Sequence, residues 1–163
     1  MFCELDEISA SIAAILKNKL IAKPEGWRSY TPNIAAYEAC LSPLHHQWNR
    51  TGPESIEKSR QCYERAAKLD PRFALPHAGL AMYYHIASSW LIDPRQGVVL
   101  GRQAAPRALE LDPSLPETHA WLGIFAIWAD FDWKEAQRRF DIALSREPVA
   151  PLLRHWHGYF YLR

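Results

Sequence analysis

Histidines, cysteines and closely spaced acids are the side chains of this 163-residue chain that could do chemistry. His155 and His157 stand two residues apart. On a helix that spacing turns the two rings about 200° from each other, so one metal ion cannot take both. No cysteine or carboxylate cluster adjoins them in the sequence. His45 and His46 are adjacent and face different ways for the same reason. Cys3, Cys40 and Cys62 are odd in number, widely spaced and without a Cys-x-x-Cys pair. They predict reduced, partly buried thiols rather than a disulfide framework, a pattern that fits a reducing compartment. Cys62 carries no local signature of a nucleophile. Asp130 and Asp132 read as turn and cap residues rather than as an acid–base pair. A Gly-x-Ser-x-Gly elbow, a phosphate-cradling glycine loop and a His-Glu-x-x-His helix are all missing from the sequence. The expectation is a chain with no catalytic residues, no metal site and no cofactor.

Bulk properties narrow the class further. The formal net charge is +1 and hydrophobic residues make up 48% of the chain, enough for a core. A balance so near neutrality is not that of a nucleic-acid binder, which needs a basic stripe. Lys17 with Lys19, and Arg138 with Arg139, read as solvated helix faces. No apolar run reaches the roughly 18 residues of a membrane helix. Glu4, Asp6 and Glu7 exclude a signal peptide at residues 1–10. A cytoplasmic location is expected, with an extracytoplasmic part of a membrane-anchored parent as the alternative.

The elements that must position these side chains are repeated. The hexapeptides AAKLDP (66–71), ALELDP (108–113) and ALSREP (143–148) each end a helical apolar pattern in an acid followed by proline. Proline stops the helix and disfavours helical backbone at the residue before it. The prolines are 42 and then 35 residues apart, the second close to a helix-turn-helix unit of about 34 residues. After each proline a second pattern runs at one shared spacing: His77, Leu80, Ala81, Tyr84; His119, Leu122, Gly123, Ala126; Arg154, His157, Gly158, Tyr161. Ala81, Gly123 and Gly158 are small enough for close helix approach. Ahead of the prolines, Ser59-Tyr63-Ala66 and Ala136-Phe140-Ala143 repeat a small–aromatic–small trio, and Gly101-Ala105-Ala108 lacks the aromatic. Thr31-Pro32, Gly52-Pro53 and Asp93-Pro94 open helices. Ser114 with Glu117, and Asp132 with Glu135, have capping-box spacing. Helices are expected near 5–21, 33–49, 53–69, 73–90, 94–111, 115–130, 132–146 and 150–163, with no strand. The extra residues of the 42-residue unit are placed around Ser88 to Gln96. Pro106 should break its helix, because it removes a donor and crowds the carbonyl of Arg102.

These residues resemble the tetratricopeptide repeat family over residues 33–163, the unit from Leu115 to Pro148 most closely. The resemblance implies an all-α, right-handed solenoid of antiparallel helix pairs. Residues 1–32 would form a linker helix, with its apolar stripe Leu5, Ile8, Ile12, Ile15, Leu16 and Leu20, and a connecting segment. The units would be 33–71, 72–113, 114–148 and a single-helix remainder, 149–163. Residues 1–32, with the phrases YTPN (30–33), AYE (36–38) and DWKEA (132–136), are also similar to repeat regions of large bacterial signalling proteins. Those carry a serine/threonine kinase, a winged-helix regulator or a nucleotide cyclase.

The resemblance implies a protein-interaction scaffold, a regulatory or sensory part of such a signalling protein, rather than an enzyme. A non-catalytic piece of a kinase or other enzyme, and a structural spacer, are the alternatives. In this family the first helix of each pair lines a concave face. The corresponding groove residues here are Leu75, Ala78, Met82, His85, Glu117, Ala120, Ile124, Trp128, Leu152, His155 and Tyr159. That mostly apolar set suits an apolar segment or an amphipathic helix as partner, not a terminal carboxylate, and some of it could bury a neighbouring helix of the same protein. Trp121, Trp128, Trp133 and Trp156 fall in or beside the best repeats, where bulky rings fill the space between helices. The chain is also expected to self-associate. Trp156, Tyr159, Phe160, Tyr161 and Leu162 at one end and the stripe at the other are apolar surfaces that a second copy could cover.

Overall fold

The computed structural model describes residues 31–48, 52–89, 91–145 and 151–161, with backbone alone at 44–48, 151–152 and 159–161. The helix expected at 5–21 lies outside these residues. All described elements are helical: α1 (Ile34–Trp48), α2 (Pro53–Leu69), α3 (Leu75–Ala87), α4 (Pro94–Leu111), α5 (Pro116–Phe125), α6 (Trp133–Leu144) and α7 (Pro151–Tyr161). A π-helical turn, Ala126–Asp130, extends α5. There is no strand among the described residues, and no described helix is long and apolar enough to cross a membrane.

Proline sets most of the starts. Pro53, Pro94, Pro116 and Pro151 are the first residues of their helices and Pro76 is second in α3, where a missing amide hydrogen costs nothing. Gly52, before Pro53, has φ of 107°, a conformation that side-chain-bearing residues rarely adopt. α1 is capped by Asn33, whose Oδ1 accepts from Ala36 N at 3.0 Å. Thr31, expected as the cap, lies two residues back and accepts from Asn33 N. Asn33 also donates through Nδ2 to Leu69 O at 2.9 Å, so the start of α1 lies beside the end of α2 and the pair is antiparallel.

The two Asp-Pro turns are copies of each other. Asp70 N and Asp112 N donate to Ala66 O and Ala108 O, closing α2 and α4. Each carboxylate then accepts from the amide two residues on, Arg72 N and Ser114 N, both at 3.0 Å. Each carbonyl accepts from the amide three residues on, Phe73 N and Leu115 N, both at 3.1 Å. Those last two side chains are fully buried. The acid of the hexapeptide is thus the residue that reverses the chain, through its side chain as well as its backbone.

α1 pairs with α2, α3 with α4, and α5 with α6. Successive pairs touch through α2–α3 and α4–α5, α7 packs on α5 and α6, and the odd-numbered helices meet in series, α1 to α3 to α5 to α7. The trios at 59/63/66, 101/105/108 and 136/140/143 are buried throughout. Tyr63 lies flat against Gly79, where a Cβ would sit 2.3 Å from its ring, and Phe140 covers Gly123. The middle trio lacks an aromatic because α5 supplies one: the Phe125 ring fills the space over Gly101.

Several expectations are corrected. α4 runs unbroken through Pro106. Pro106 and Arg102 are both exposed, so the carbonyl that loses its amide partner can be hydrated, while Ala105 and Ala108 stay in the core. Ser114 is not a cap, since its Oγ donates to Asp112 Oδ1 at 2.9 Å, and α5 begins two residues later behind Leu115 with no side-chain cap. α3 ends at Ala87, not near residue 90, because Leu91 N and Ile92 N fold back onto Ala87 O. The extra length of the 42-residue unit lies only partly at 88–93, for α4 has 18 residues against 12 in α6. Gly158 meets no close neighbour among the described residues, none of which lies within 4 Å of an added Cβ.

Candidate functional site

The expected groove residues divide by depth. Ala78, Met82, Ala120 and Ile124 are buried in the chain's own core. Leu75, His85 and Glu117 are half-buried, and Trp128 and His155 are exposed. The side chains of Leu152 and Tyr159 lie outside the described residues. Met82, Ala120 and Ile124 lie in the main core while Ala78 packs with Ala108 and Leu115, so the series contact of α3, α5 and α7 covers part of that face.

At the centre of this series stands His85 of α3. Its ring centroid is 5.8 Å from Trp121 and 6.0 Å from Phe125, both on α5, and 5.6 Å from Trp156 on α7. Trp121 and Trp156 meet edge to face at 5.7 Å. Burial among these rings pushes the His85 pKa down to about 4, because an imidazolium there would lose its water. The residue is a neutral junction piece at physiological pH.

His119 has a different role. Its Nε2 lies 2.8 Å from Pro113 O, and Arg139 Nη1 approaches its Nδ1 at 3.3 Å. A proton on Nε2 satisfies both contacts, and His119 then ties the turn ahead of α5 to α6. Burial, opposed by the Pro113 carbonyl and reinforced by Arg139 and Arg138, lowers its pKa. Glu135 accepts from Arg138 and Arg139 at 2.6–2.7 Å, which holds its carboxyl down at about 2. His77, at the matching position after Pro71, also titrates low, through burial and then Arg107.

The remaining chemistry-bearing residues do not converge. His155 lies against Trp156, and His157 lies 5.3 Å from Phe140, so the two rings occupy different surroundings. His45 and His46 side chains are outside the described residues. Among the described residues no three His, Cys, Asp or Glu side chains gather as metal ligands. Burial, then Glu117, raises the Cys40 thiol to about 12, which suppresses its thiolate. Asp130 pairs with Arg102. Asp132 caps α6, its Oδ1 accepting from Glu135 N at 3.0 Å.

The reading of spacings alone missed the α5–α6 corner as a surface. There Trp128, Phe131 and Trp133 are 45%, 72% and 41% exposed. The π-helical turn makes this possible. Ala126 O accepts from Phe131 N and from Asp132 N at 2.9 Å, which closes the helix and sends the chain round in one step. Phe131 has left-handed backbone, φ 55° and ψ 27°, a conformation costing an ordinary residue about 1–2 kcal/mol. Glycine would avoid that cost, yet a large exposed aromatic occupies the position. The corner is pinned from two sides, by Asp130 to Arg102 of α4 and by the Asp132 cap on α6. A signal was present in the sequence: three aromatics in the six residues 128–133, interleaved with two aspartates. No protein-family model matches the chain, and no curated protein matches its sequence significantly.

Proposed function

We propose that this chain is a protein-binding scaffold and that Trp128, Phe131 and Trp133 are its contact residues. The observation that carries the reading is the exposure of three large rings on a corner whose strained backbone glycine would relieve. Backbone strain of this kind clusters at functional sites. Full burial of one such ring against a partner contributes roughly 1.5–3 kcal/mol, so three supply at most about 9 kcal/mol before association costs, the drive of a weak complex. The partner fitting this surface is an apolar segment or an amphipathic helix, seated on the rings with its polar side toward Asp130, Asp132 and Lys134. The reading assigns the chain no reaction of its own.

The resemblance to tetratricopeptide arrays supports the same class of function, and the matched Asp-Pro turns support a repeat origin. On that basis the chain would be a right-handed solenoid of tetratricopeptide type and a regulatory portion of a larger bacterial signalling protein. Titration of a panel of amphipathic and extended apolar peptides, followed by intrinsic fluorescence, tests the contact assignment. Saturable binding that is lost in Trp128→Ser and Phe131→Ser but kept in Lys58→Ala, on the exposed side of α2, is expected. Binding unaffected by all three changes, or no binding by any peptide, contradicts it.

A further inference from the structure

A chain of hydrogen bonds runs from the second Asp-Pro turn to the exposed corner. With its proton on Nε2, His119 donates to Pro113 O at 2.8 Å, and Arg139 Nη1 donates to His119 Nδ1 at 3.3 Å. The same guanidinium donates through Nε to Glu135 Oε1 at 2.6 Å. Glu135 N in turn donates to Asp132 Oδ1 at 3.0 Å, the bond that caps α6 directly ahead of Trp133. The chain starts from a fixed point, because Asp112 accepts from Ser114 N and Leu115 N and so holds the turn that contains Pro113. It passes from the buried His119 through half-buried Arg139 and Glu135 to the exposed Trp133. The repeat itself does not require it. His77 stands at the same offset after Pro71, behind a turn built of the same bonds. The His77 ring makes no hydrogen bond among the described residues.

We propose that His119 and Arg139 are positioning residues of the contact corner, holding the first turn of α6 so that the Trp133 ring meets a partner in one orientation. The bearing on binding rests on the corner being the contact surface. Neither side chain touches the partner, and both act through Glu135 and the Asp132 cap. A ring placed in advance loses less freedom on binding than one that the partner must order. Arg139 suits the middle position. Its planar guanidinium presents two N–H groups to two acceptors at fixed angles, which an ammonium on a flexible stem does not. The chain of bonds also depends on the charge of the histidine. Nδ1 must be bare to accept from Arg139, and a proton there sets two N–H groups and two cations against each other. Burial opposes that proton, the Pro113 carbonyl favours it, Arg139 and Arg138 of α6 oppose it and Asp112 of the turn favours it, with a pKa below the ordinary 6.5 as the balance. Glu135, its carboxyl held down at about 2, stays ionised while His119 titrates. Acid therefore breaks the chain at the bond between His119 and Arg139.

The indole N–H signal of Trp133, in nuclear magnetic resonance of the full chain, tests this without a partner. His119→Phe keeps a ring in the core and removes both of its bonds. Arg139→Lys alters no ring and breaks the fork. Each should shift and broaden the Trp133 signal, whereas Asp141→Ala, exposed on α6 and off the chain of bonds, should leave it in place. The Trp121 signal reports whether each variant still folds, and Arg139→Lys carries the test if His119→Phe does not. Lowering the pH below 6.5 should move the Trp133 signal together with those of the His119 ring, a component missing from His119→Phe. Affinity for a peptide that binds the corner should fall in both variants. A Trp133 signal unmoved by either variant, or indifferent to the titration of His119, overturns the proposal, since His119 would then serve stability alone. Unchanged peptide affinity despite a shifted signal overturns it as well. A shifted signal in a chain that binds no peptide upholds the positioning and contradicts the corner as contact surface, so the two readings fail separately.

Discussion

Lowering the pH from neutral to about 4 should destabilise the chain through His85, and His85→Leu should remove that part of the effect. The ordinary imidazole pKa is 6.5 and burial holds this one at about 4. The unfolded chain therefore binds a proton that the folded chain refuses, so acid favours unfolding. The stability that depends on a neutral His85 is whole above pH 6.5, declines as the pH falls from 6.5 toward 4, and stops declining below that. Over that window the linkage amounts to about 3 kcal/mol. The tilted Trp121 ring at 5.8 Å would return on the order of 0.5–1 kcal/mol to the cation, leaving about 2 kcal/mol. Acid also acts on the chain elsewhere, so the quantity to measure is a double difference. Urea unfolding followed by tryptophan fluorescence, at neutral pH and at about pH 4, is compared between the unmodified chain and His85→Leu. The unmodified chain should lose about 2 kcal/mol more than the variant. Equal losses would refute the placement of a neutral His85 among Trp121, Phe125 and Trp156.

Three further outcomes follow from the geometry. Gly101→Ala puts a methyl group 2.3 Å from Phe125 Cζ and should cost about 1–3 kcal/mol by overpacking, with recovery in the double variant carrying Phe125→Leu; an unchanged unfolding midpoint would deny the contact. Asp132→Ala removes the accepted bond from Glu135 N and should cost about 1 kcal/mol, seen as a lower urea midpoint. Phe131→Gly relieves the left-handed backbone and should raise stability by about 1 kcal/mol while weakening peptide binding, whereas a loss of both would make Phe131 a packing residue.

Helix positions were legible because they depend on local rules: proline at the starts, acid–proline at the ends, and one apolar spacing between them. The expected 53–69 and 94–111 coincide with α2 and α4. Details that depend on neighbours were not legible. Pro106 looked disruptive, and its tolerance comes from facing water. Thr31 and Ser114 had the composition of caps, but Asn33 took the Ala36 amide of α1, and the Asp112 carboxylate took the Ser114 hydroxyl. Gly101 without an aromatic looked like a gap until α5 brought Phe125 to it. The groove assignment met the same limit. Helical spacing shows which residues share a face, but not that three first helices would press those faces together and bury Met82 and Ile124. The π turn that exposes Trp128 and Phe131 has no sequence signature beyond its crowd of aromatics and aspartates.

Nuclear magnetic resonance of the tryptophan indoles, during titration with an amphipathic helical peptide that binds, tests the contact surface most directly. Trp128 and Trp133 stand on the exposed corner, and Trp121 is buried in the junction with His85. Each indole N–H gives its own signal. The account predicts that the Trp128 and Trp133 signals shift with the binding curve while Trp121 stays in place. Shifts confined to Trp121, or to neither site while the peptide binds, would contradict it.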